Sequence, residues 1–408
     1  MIGEGWIALG AAVLLAGILA RHPVPVTLGA VVLLAALSSR LWDRYGFHRL
    51  EYRRRFSPRR AFVGEPITFA MEVTNRKALP LAWLEVHDEI PQALRPVRSR
   101  TLPSPRQRRK ILVDMFSLRW YERVRRKYVL RCTARGDFQL GPARLRTGDV
   151  FGFHTQAREV PSTDRLIVYP RVVPLRDLGL PAEHPFGDAR RRRPLFEDPL
   201  RVIGVRDYQP GDPMRRVHWK ATAHNGRLQA KLYEFATTRP LALFCDVDTL
   251  GEYAHYRGYI PDLLETTIVV AASVAAWAYG QGHPVGMYAN GFTPQARSWV
   301  ALPPDAGPAQ LARILEALAK LLPTPMLPAD ALLAEEARRL PYGATAVLIT
   351  STPDQAKDVA LGDLARRGFG IAAVLVGRRA ARYAPRHVDV VHRVADDRWD
   401  RIDELPPA

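Results

Sequence analysis

The chain has 408 residues, with 59 Lys and Arg against 41 Asp and Glu and a formal charge of +18. That length accommodates two or three domains at about 100–200 residues each. Hydrophobic residues at 47% and charged residues at 25% are the usage of a folded chain, which excludes a disordered tail protein. Two cysteines, Cys132 and Cys245, cannot build a disulfide framework or a cysteine-rich zinc site.

Gly5 to Ala20 and Val24 to Ser39 are uncharged stretches of sixteen residues each, separated by Arg21-His22-Pro23. As helices each spans about 24 Å, somewhat short of a ~30 Å hydrocarbon core. Trp6 and Trp42 can sit at headgroup level, and Arg21 and Arg40 can snorkel, which narrows the gap. The chain opens Met1-Ile2-Gly3-Glu4, without the basic n-region of a signal peptide. The reading is a transmembrane helical hairpin over residues 1–42. Eight arginines and only Asp43 and Glu51 as acids lie between Arg40 and Arg60. The positive-inside rule then places the soluble part in the cytoplasm.

Tyr52 to about Pro170 reads as a β-rich domain (52–170), a small sandwich. Ile67–Thr74 is β-rich and broken by Asn75-Arg76, Lys127–Thr133 alternates, and Ala134-Arg135-Gly136-Asp137 is a turn signal. Arg95 to Arg109 reads as a Pro- and Arg-rich loop. Residues 171–239 form a linker and a dense motif segment, and Arg190–Arg193 reads as a solvated run or as a contact for anionic lipid. Over 240–395 strands and helices alternate: strand Leu241–Cys245, helix Asp262–Tyr279, strand Val285–Ala289, helices Pro308–Leu322 and Ala329–Leu340, strand Ala344–Ile349, helix Asp354–Arg367 and strand Gly370–Val376. This order predicts βαβ units around a mostly parallel sheet. The fourteen apolar residues Thr266 to Tyr279 are too short for a comfortable span and read as a core helix. Ligands of such sheets bind at the C-terminal strand ends, which singles out Asp246 and Asp248.

The densest motif is Val205 to Leu228, VRDYQPGDPMRRVHWKATAHNGRL. Pro210-Gly211 suit the centre of a type II turn, and Asp212-Pro213 suits a helix start, predicting a short helix from Pro213 to about Ala221. Asn225-Gly226 is a second turn signal, read as a hairpin into Leu228–Phe235. Two uses fit these residues. Asp212 caps, Trp219 packs and the cations lie in water, or a rigid turn presents Arg206, Arg215, Arg216 and Lys220 to an anionic group or a partner, with Asp212 orienting one guanidinium. The candidate partner or anion site is Arg206, Tyr208, Gly211, Asp212, Arg215, Arg216, Trp219 and Lys220.

This stretch resembles the signature of the prokaryotic domain-of-unknown-function 58 family, Leu-Arg-x-Tyr-x-Pro-Gly-Asp, then Arg-x-x-x-Trp-Lys, then Ala-Arg. Here it stands as Val205-Arg206-Asp207-Tyr208-Gln209-Pro210-Gly211-Asp212, Arg216 to Trp219-Lys220, and Ala223-His224, with Val205 and His224 as the departures. Val63-Gly64-Glu65, Asn75-Arg76, Leu79-Pro80-Leu81 and Thr147–Gly152 are similar to the family's membrane-proximal β domain. The resemblance implies a von Willebrand factor A-like α/β domain at the C-terminal side and a MoxR-type AAA+ ATPase as partner, and it implies no known reaction. Such a domain usually holds a divalent ion through Asp-x-Ser-x-Ser. The corresponding Asp246-Val247-Asp248-Thr249-Leu250 keeps Asp246, has Asp248 for a Ser, and ends in a Leu that cannot ligate. Asp246 and Asp248 are thus candidate ligands of a degenerate Mg2+ site, and no other cofactor is expected.

Walker, nucleophile-elbow and zincin motifs are missing from the sequence, so catalysis is not expected. The arginines are spread along the chain without a basic, aromatic-interleaved platform, which argues against a nucleic-acid binder. The preferred expectation is a membrane-anchored, cytoplasm-facing interaction or scaffold protein that docks an AAA+ ATPase in chaperone-like assembly or cell-envelope work. The alternatives are a metal- or anion-binding receptor domain and a basic nucleic-acid-binding protein.

Overall fold

The computed structural model describes residues 2–151, 154–175, 197–209, 212, 214–235, 240–251, 258–296, 298–341 and 343–400. The chain divides into two compact units, Met1–Pro170 and Arg171–Ala408.

The first unit opens with helices α1 (Ile2–Leu19) and α2 (Pro23–Tyr45), joined by a tight turn in which Arg21 takes a φ of 51°. Pro23 suits the first turn of α2, where its missing N–H would have no partner in any case. The helices pack closely because Gly29 has no side chain: a Cβ there would come within 2.5 Å of the Leu14 backbone nitrogen. On its remaining faces α2 leaves Leu28, Val31, Leu34 and Leu37 exposed. It is long and apolar enough to cross a membrane, whereas the apolar part of α1, Gly5–Leu19, is shorter.

The rest of this unit is β structure. One antiparallel sheet runs Leu50–Ser57, Pro66–Asn75, Arg123–Cys132, Leu94–Pro96. A second, also antiparallel, runs Thr155–Val160, Ala143–Gly148, Leu81–Pro91, Arg109–Leu118, Thr101–Pro103. Arg60–Phe62, Asp164–Tyr169 and Gly136–Leu140 form a third. Strands with one face inward bury alternate residues, as Leu81–Pro91 does. Phe69, Met71, Leu84, Ile90, Leu112, Phe116 and Leu130 from the two larger sheets therefore meet in one buried core. The expected loop over Arg95–Arg109 is corrected: Leu94–Pro96 pairs with Leu130–Cys132, and Thr101–Pro103 pairs with Lys110–Leu112. Gly136, expected in a turn, opens a strand.

The polar end of α2 is seated on this β structure by side chains. Trp42 Nε1 donates to the Pro80 carbonyl at 2.9 Å, and Lys77 Nζ donates to the Gly46 carbonyl at 2.9 Å. The Gln156 amide donates to Asp43 Oδ1 at 2.7 Å, and the buried Ser39 hydroxyl donates to the buried Asp149 carboxylate. Asn75, fully buried, donates to the Leu79 and Arg119 carbonyls and holds the loop that presents Lys77 and Pro80. The Lys77 ammonium also satisfies a carbonyl just past the helix end, where a cation is favoured.

The second unit begins with an antiparallel pair, Glu197–Asp207 with Gln229–Phe235, and between them α3 (Trp219–Asn225). Its main sheet has six strands in the order Trp299–Asp305, Val285–Phe292, Leu241–Cys245, Thr345–Thr350, Gly370–Val376, Val390–Val394. All neighbours are parallel except the antiparallel edge strand Trp299–Asp305. Helices α4 (Pro261–Gly280), α5 (Gln310–Lys320), α6 (Ala329–Glu336) and α7 (Gln355–Arg366) connect them. Leu241–Cys245 is buried at every residue, as a strand covered on both faces must be. Helix α4 is also long and apolar enough to span a bilayer, but 67% of its apolar stretch is buried. It is a core helix, as its short sequence stretch predicts. The sequence pattern alone does not mark the edge strands Trp299–Asp305 and Val390–Val394.

Burial lowers the Lys77 pKa to about 8. Between pH 8 and the ordinary lysine value near ~10.4 the unfolded chain binds a proton that the folded chain has released, so stability rises with pH in that window. In thermal melts of the detergent-solubilised chain, wild type is expected to gain on Lys77→Met from pH 8 to pH 10. An unchanged difference between the two would show that Lys77 is not desolvated at the helix end.

Candidate functional site

The signature segment is a turn locked by one ion pair. Arg206, near the end of its strand, donates from Nη1 to Asp212 Oδ2 and from Nη2 to Asp212 Oδ1, both at 2.8 Å. The two parallel bonds match the planar fork to the carboxylate. Asp212 also accepts from the Gln209 backbone N–H at 3.0 Å, and the Tyr208 hydroxyl donates to the Asp212 carbonyl at 2.7 Å. The Arg206 hydrogen bonds first, then the Gln209 N–H and the charges of Arg206 and Arg216, hold the Asp212 carboxyl below its ordinary value. At neutral pH it is therefore ionised and the turn is closed. Gly211 and the Arg215 side chain lie outside the described residues.

Beyond the turn the structure departs from the expected helix. Met214–Arg216 forms a single 3-10 turn, then Val217 bridges to Ala230 and the His218 N–H donates to the Gln229 carbonyl at 2.7 Å. That pairing extends the backbone and delays the helix, so α3 starts at Trp219. Its N-terminus is capped by His218, whose Nδ1 accepts from the Ala221 N–H at 3.1 Å. Of the two uses open to Asp212, the structure has it orienting a guanidinium, that of Arg206, and not capping the helix. Asn225-Gly226 closes the helix, with Gly226 at φ 64° in the left-handed conformation and its N–H on the Thr222 carbonyl, rather than turning a hairpin. Trp219 does not pack inward: 64% of it is exposed, beside exposed Lys220, and Met214 and Leu228 are exposed too.

The second candidate lies where the main sheet reverses its order. Numbered along the chain its strands run 3-2-1-4-5-6, so the crevice is expected between the ends of Leu241–Cys245 and Thr345–Thr350. Asp246, 1% exposed, stands there. Its Oδ1 accepts from Asn290 Nδ2 at 2.8 Å and from the Asp248 N–H at 3.1 Å. Its Oδ2 accepts from Thr350 Oγ1 at 2.9 Å and faces Lys357 Nζ at 3.1 Å. The Lys357 ammonium also reaches Asp354 Oδ2 at 3.1 Å, Thr352 Oγ1 at 3.1 Å and the Thr352 carbonyl. Burial alone would lower the Lys357 pKa, but the Asp246 and Asp354 carboxylates outweigh it and raise it above the ordinary lysine value. Asp248 turns its Oδ1 to the Leu250 and Gly251 N–H groups, at 2.9 and 3.1 Å.

This donor set does not fit a divalent ion. The Asp246 carboxylate already faces an internal cation and four further donors, Thr352 Oγ1 at 3.5 Å among them, while Asp248 closes its own turn. Among the described residues no group of three His, Cys, Asp or Glu side chains gathers as a metal would require. The sequence singles out Asp246 and Asp248 and does not point to Lys357 or Asn290. A signal for Lys357 was present: it lies in the first turn of α7, where the helix dipole disfavours a cation. A lysine placed there implies a carboxylate nearby.

Replacing Lys357 with Met leaves a buried carboxylate without its counter-charge, and the expected loss of stability is about 3–5 kcal/mol. Hydrogen exchange of the Leu241–Cys245 amides under increasing denaturant reads it directly. A loss under about 1 kcal/mol, the size of a surface pair, would refute the buried-pair account.

Residues 204–363 match the family described as "Protein of unknown function DUF58". A Bacillus subtilis (strain 168) relative, "Uncharacterized protein YeaD", is 23% identical over 281 residues, covering 68% of this chain and 60% of YeaD. The chain thus spans less than two thirds of that relative. Among solved structures, the mussel byssus proximal thread matrix protein 1 aligns at 10% identity and a TM-score of 0.29, over 41% of this chain and 46% of that one. The CARDB domain of the PF1109 protein from Pyrococcus furiosus aligns at 13% identity and a TM-score of 0.19, over 30% of this chain and 96% of that domain.

Proposed function

We propose that this chain, which belongs to the DUF58 family, is a bilayer-anchored, cytoplasm-facing interaction protein that docks a MoxR-type AAA+ ATPase through its signature segment. The observation that carries the reading is Trp219, 64% exposed beside Lys220 on a helix that follows a turn locked by Arg206 and Asp212. A large exposed aromatic next to cations on a rigid turn is the composition of an interface hot spot, because little conformational freedom is lost on binding. The six-stranded sheet order supports a von Willebrand factor A-like second unit, used here as a docking module without a metal. Helix α2 supports the anchor, and the arginines that follow it support the cytoplasmic orientation.

The test is a pull-down with the full-length membrane protein, with and without ATP, comparing wild type with Arg216→Glu/Lys220→Glu. Arg216 lends Asp212 only its charge and Lys220 lies outside the lock, so the two-bond Arg206–Asp212 fork is expected to persist while the surface charge reverses. Wild type is expected to recover an AAA+ ATPase in a nucleotide-dependent way, and the double variant to lose it. Equal recovery by both proteins, or recovery of no ATPase by either, would overturn the docking reading.

A further inference from the structure

We propose that the cleft between the end of α2 and the strand Thr155–Val160 binds the headgroup of an anionic phospholipid, an inference that rests on the bilayer anchor proposed above. The cleft measures about 990 Å³ and is lined by Leu37, Arg40, Leu41, Arg44, Arg49 and Arg158, together with the Tyr45–His48 turn.

The arrangement along α2 is amphipathic in the vertical sense a lipid requires. Leu37, Leu41 and Arg44 recur at helical spacing and so share one face. Above them Leu34 is exposed on the same face, so an apolar track along α2 ends at the arginines. An acyl chain can follow the track while the phosphate meets guanidinium groups, which bind phosphate oxygens in pairs. Arg158 comes from the β strand and Arg49 from the turn after α2, so the cations close on the cleft from separate elements. Arg49 holds a φ of 49°, an unfavourable backbone conformation for a side-chain-bearing residue and of the kind that collects at binding sites.

Electrostatics favour an anion. Four arginines line the cleft and Asp43 is the carboxylate among its lining residues. Asp43 is turned to the Gln156 amide at 2.7 Å. The seat formed by Trp42, Lys77 and Gln156 fixes the cleft walls, so the site is built before a lipid arrives. A soluble acidic peptide or nucleotide would gain the same charge contacts but would leave Leu37 and Leu41 in water.

The test uses the full chain reconstituted in vesicles of mixed phosphatidylglycerol and phosphatidylcholine, then extracted in mild detergent, with the retained lipid measured by mass spectrometry. Wild type is expected to retain phosphatidylglycerol severalfold above its share of the vesicle. Arg44→Gln/Arg49→Gln/Arg158→Gln is expected to fall to the bulk ratio, while Arg95→Gln/Arg98→Gln/Arg100→Gln, which removes equal charge elsewhere on the same unit, is expected to keep the enrichment. Enrichment lost equally in both triple variants would mean diffuse attraction and would overturn the cleft. No enrichment in a wild-type chain that resists alkaline extraction would overturn it while leaving the anchor intact. Release of wild type by alkaline extraction would overturn the anchor itself. Displacement of the lipid by inorganic phosphate would make the site a general phosphate site and overturn the lipid assignment.

Discussion

A carboxylate taken out of water must be met at once by hydrogen bonds or a counter-charge, and three such carboxylates organise this chain. Asp88, fully buried in the β structure, receives the Arg54 guanidinium at 2.6 Å and the Tyr52 hydroxyl, and Arg54 reaches on to the Ser162 carbonyl. That pair ties the strand Leu50–Ser57 to the strand Leu81–Pro91 across the two larger sheets. Asp149 receives the Ser39 hydroxyl and the His154 N–H, and so fastens α2 to the turn that follows the strand Ala143–Gly148. Asp246 receives Lys357 and closes the reversal point of the main sheet. In each case the cost of burial is offset by partners distant in sequence, so the pairs specify which elements must meet.

The Ser39, Asp149 and His154 side chains illustrate why such a cluster is structural. Ser39 Oγ lies 3.0 Å from His154 Nδ1, and residues of these three types invite a catalytic reading. Yet the hydroxyl donates to the carboxylate itself, and Ser39 is 1% exposed. A serine nucleophile needs its oxygen open to a substrate and its proton directed to the base. Here the hydroxyl is directed to the acid and the serine is buried. The geometry belongs to the seat.

What the sequence made legible follows from how strong each local signal is. Leu241–Cys245 and Gly370–Val376 are continuous apolar runs buried on both faces, and their period and length leave little choice. Trp299–Asp305 contains Pro303 and Pro304 and buries only part of its length, so an edge strand there reads as a loop. At the signature, Asp212-Pro213 is a sound local helix start, but it loses to two non-local bonds, the Arg206 fork and the bridge from Val217 to Ala230. The sequence showed which residues were unusual at the signature. It left Asp212 either as a cap or as the partner of a guanidinium, and the choice between them depends on a strand turning back from Leu228.

The same distinction separates the two candidate sites by what they can still bind. At the sheet reversal, Asp246 sits where doubly wound sheets place ligands, but an ammonium from α7 fills its coordination, and Thr350 and Asn290 take what remains. A second cation would have to displace a lysine whose pKa its neighbours have raised. At the signature, the internal pair works in the opposite direction. Arg206 and Asp212 neutralise one another to make the turn rigid, and in doing so leave Trp219 and Lys220 standing outward on a fixed frame. The basic cleft at the foot of α2 follows the second pattern, since its carboxylate is turned to Gln156 while four arginines line it. Internal satisfaction thus fills the sheet reversal of the α/β unit, whereas at the signature and at the foot of α2 it leaves aromatic and cationic side chains at the surface.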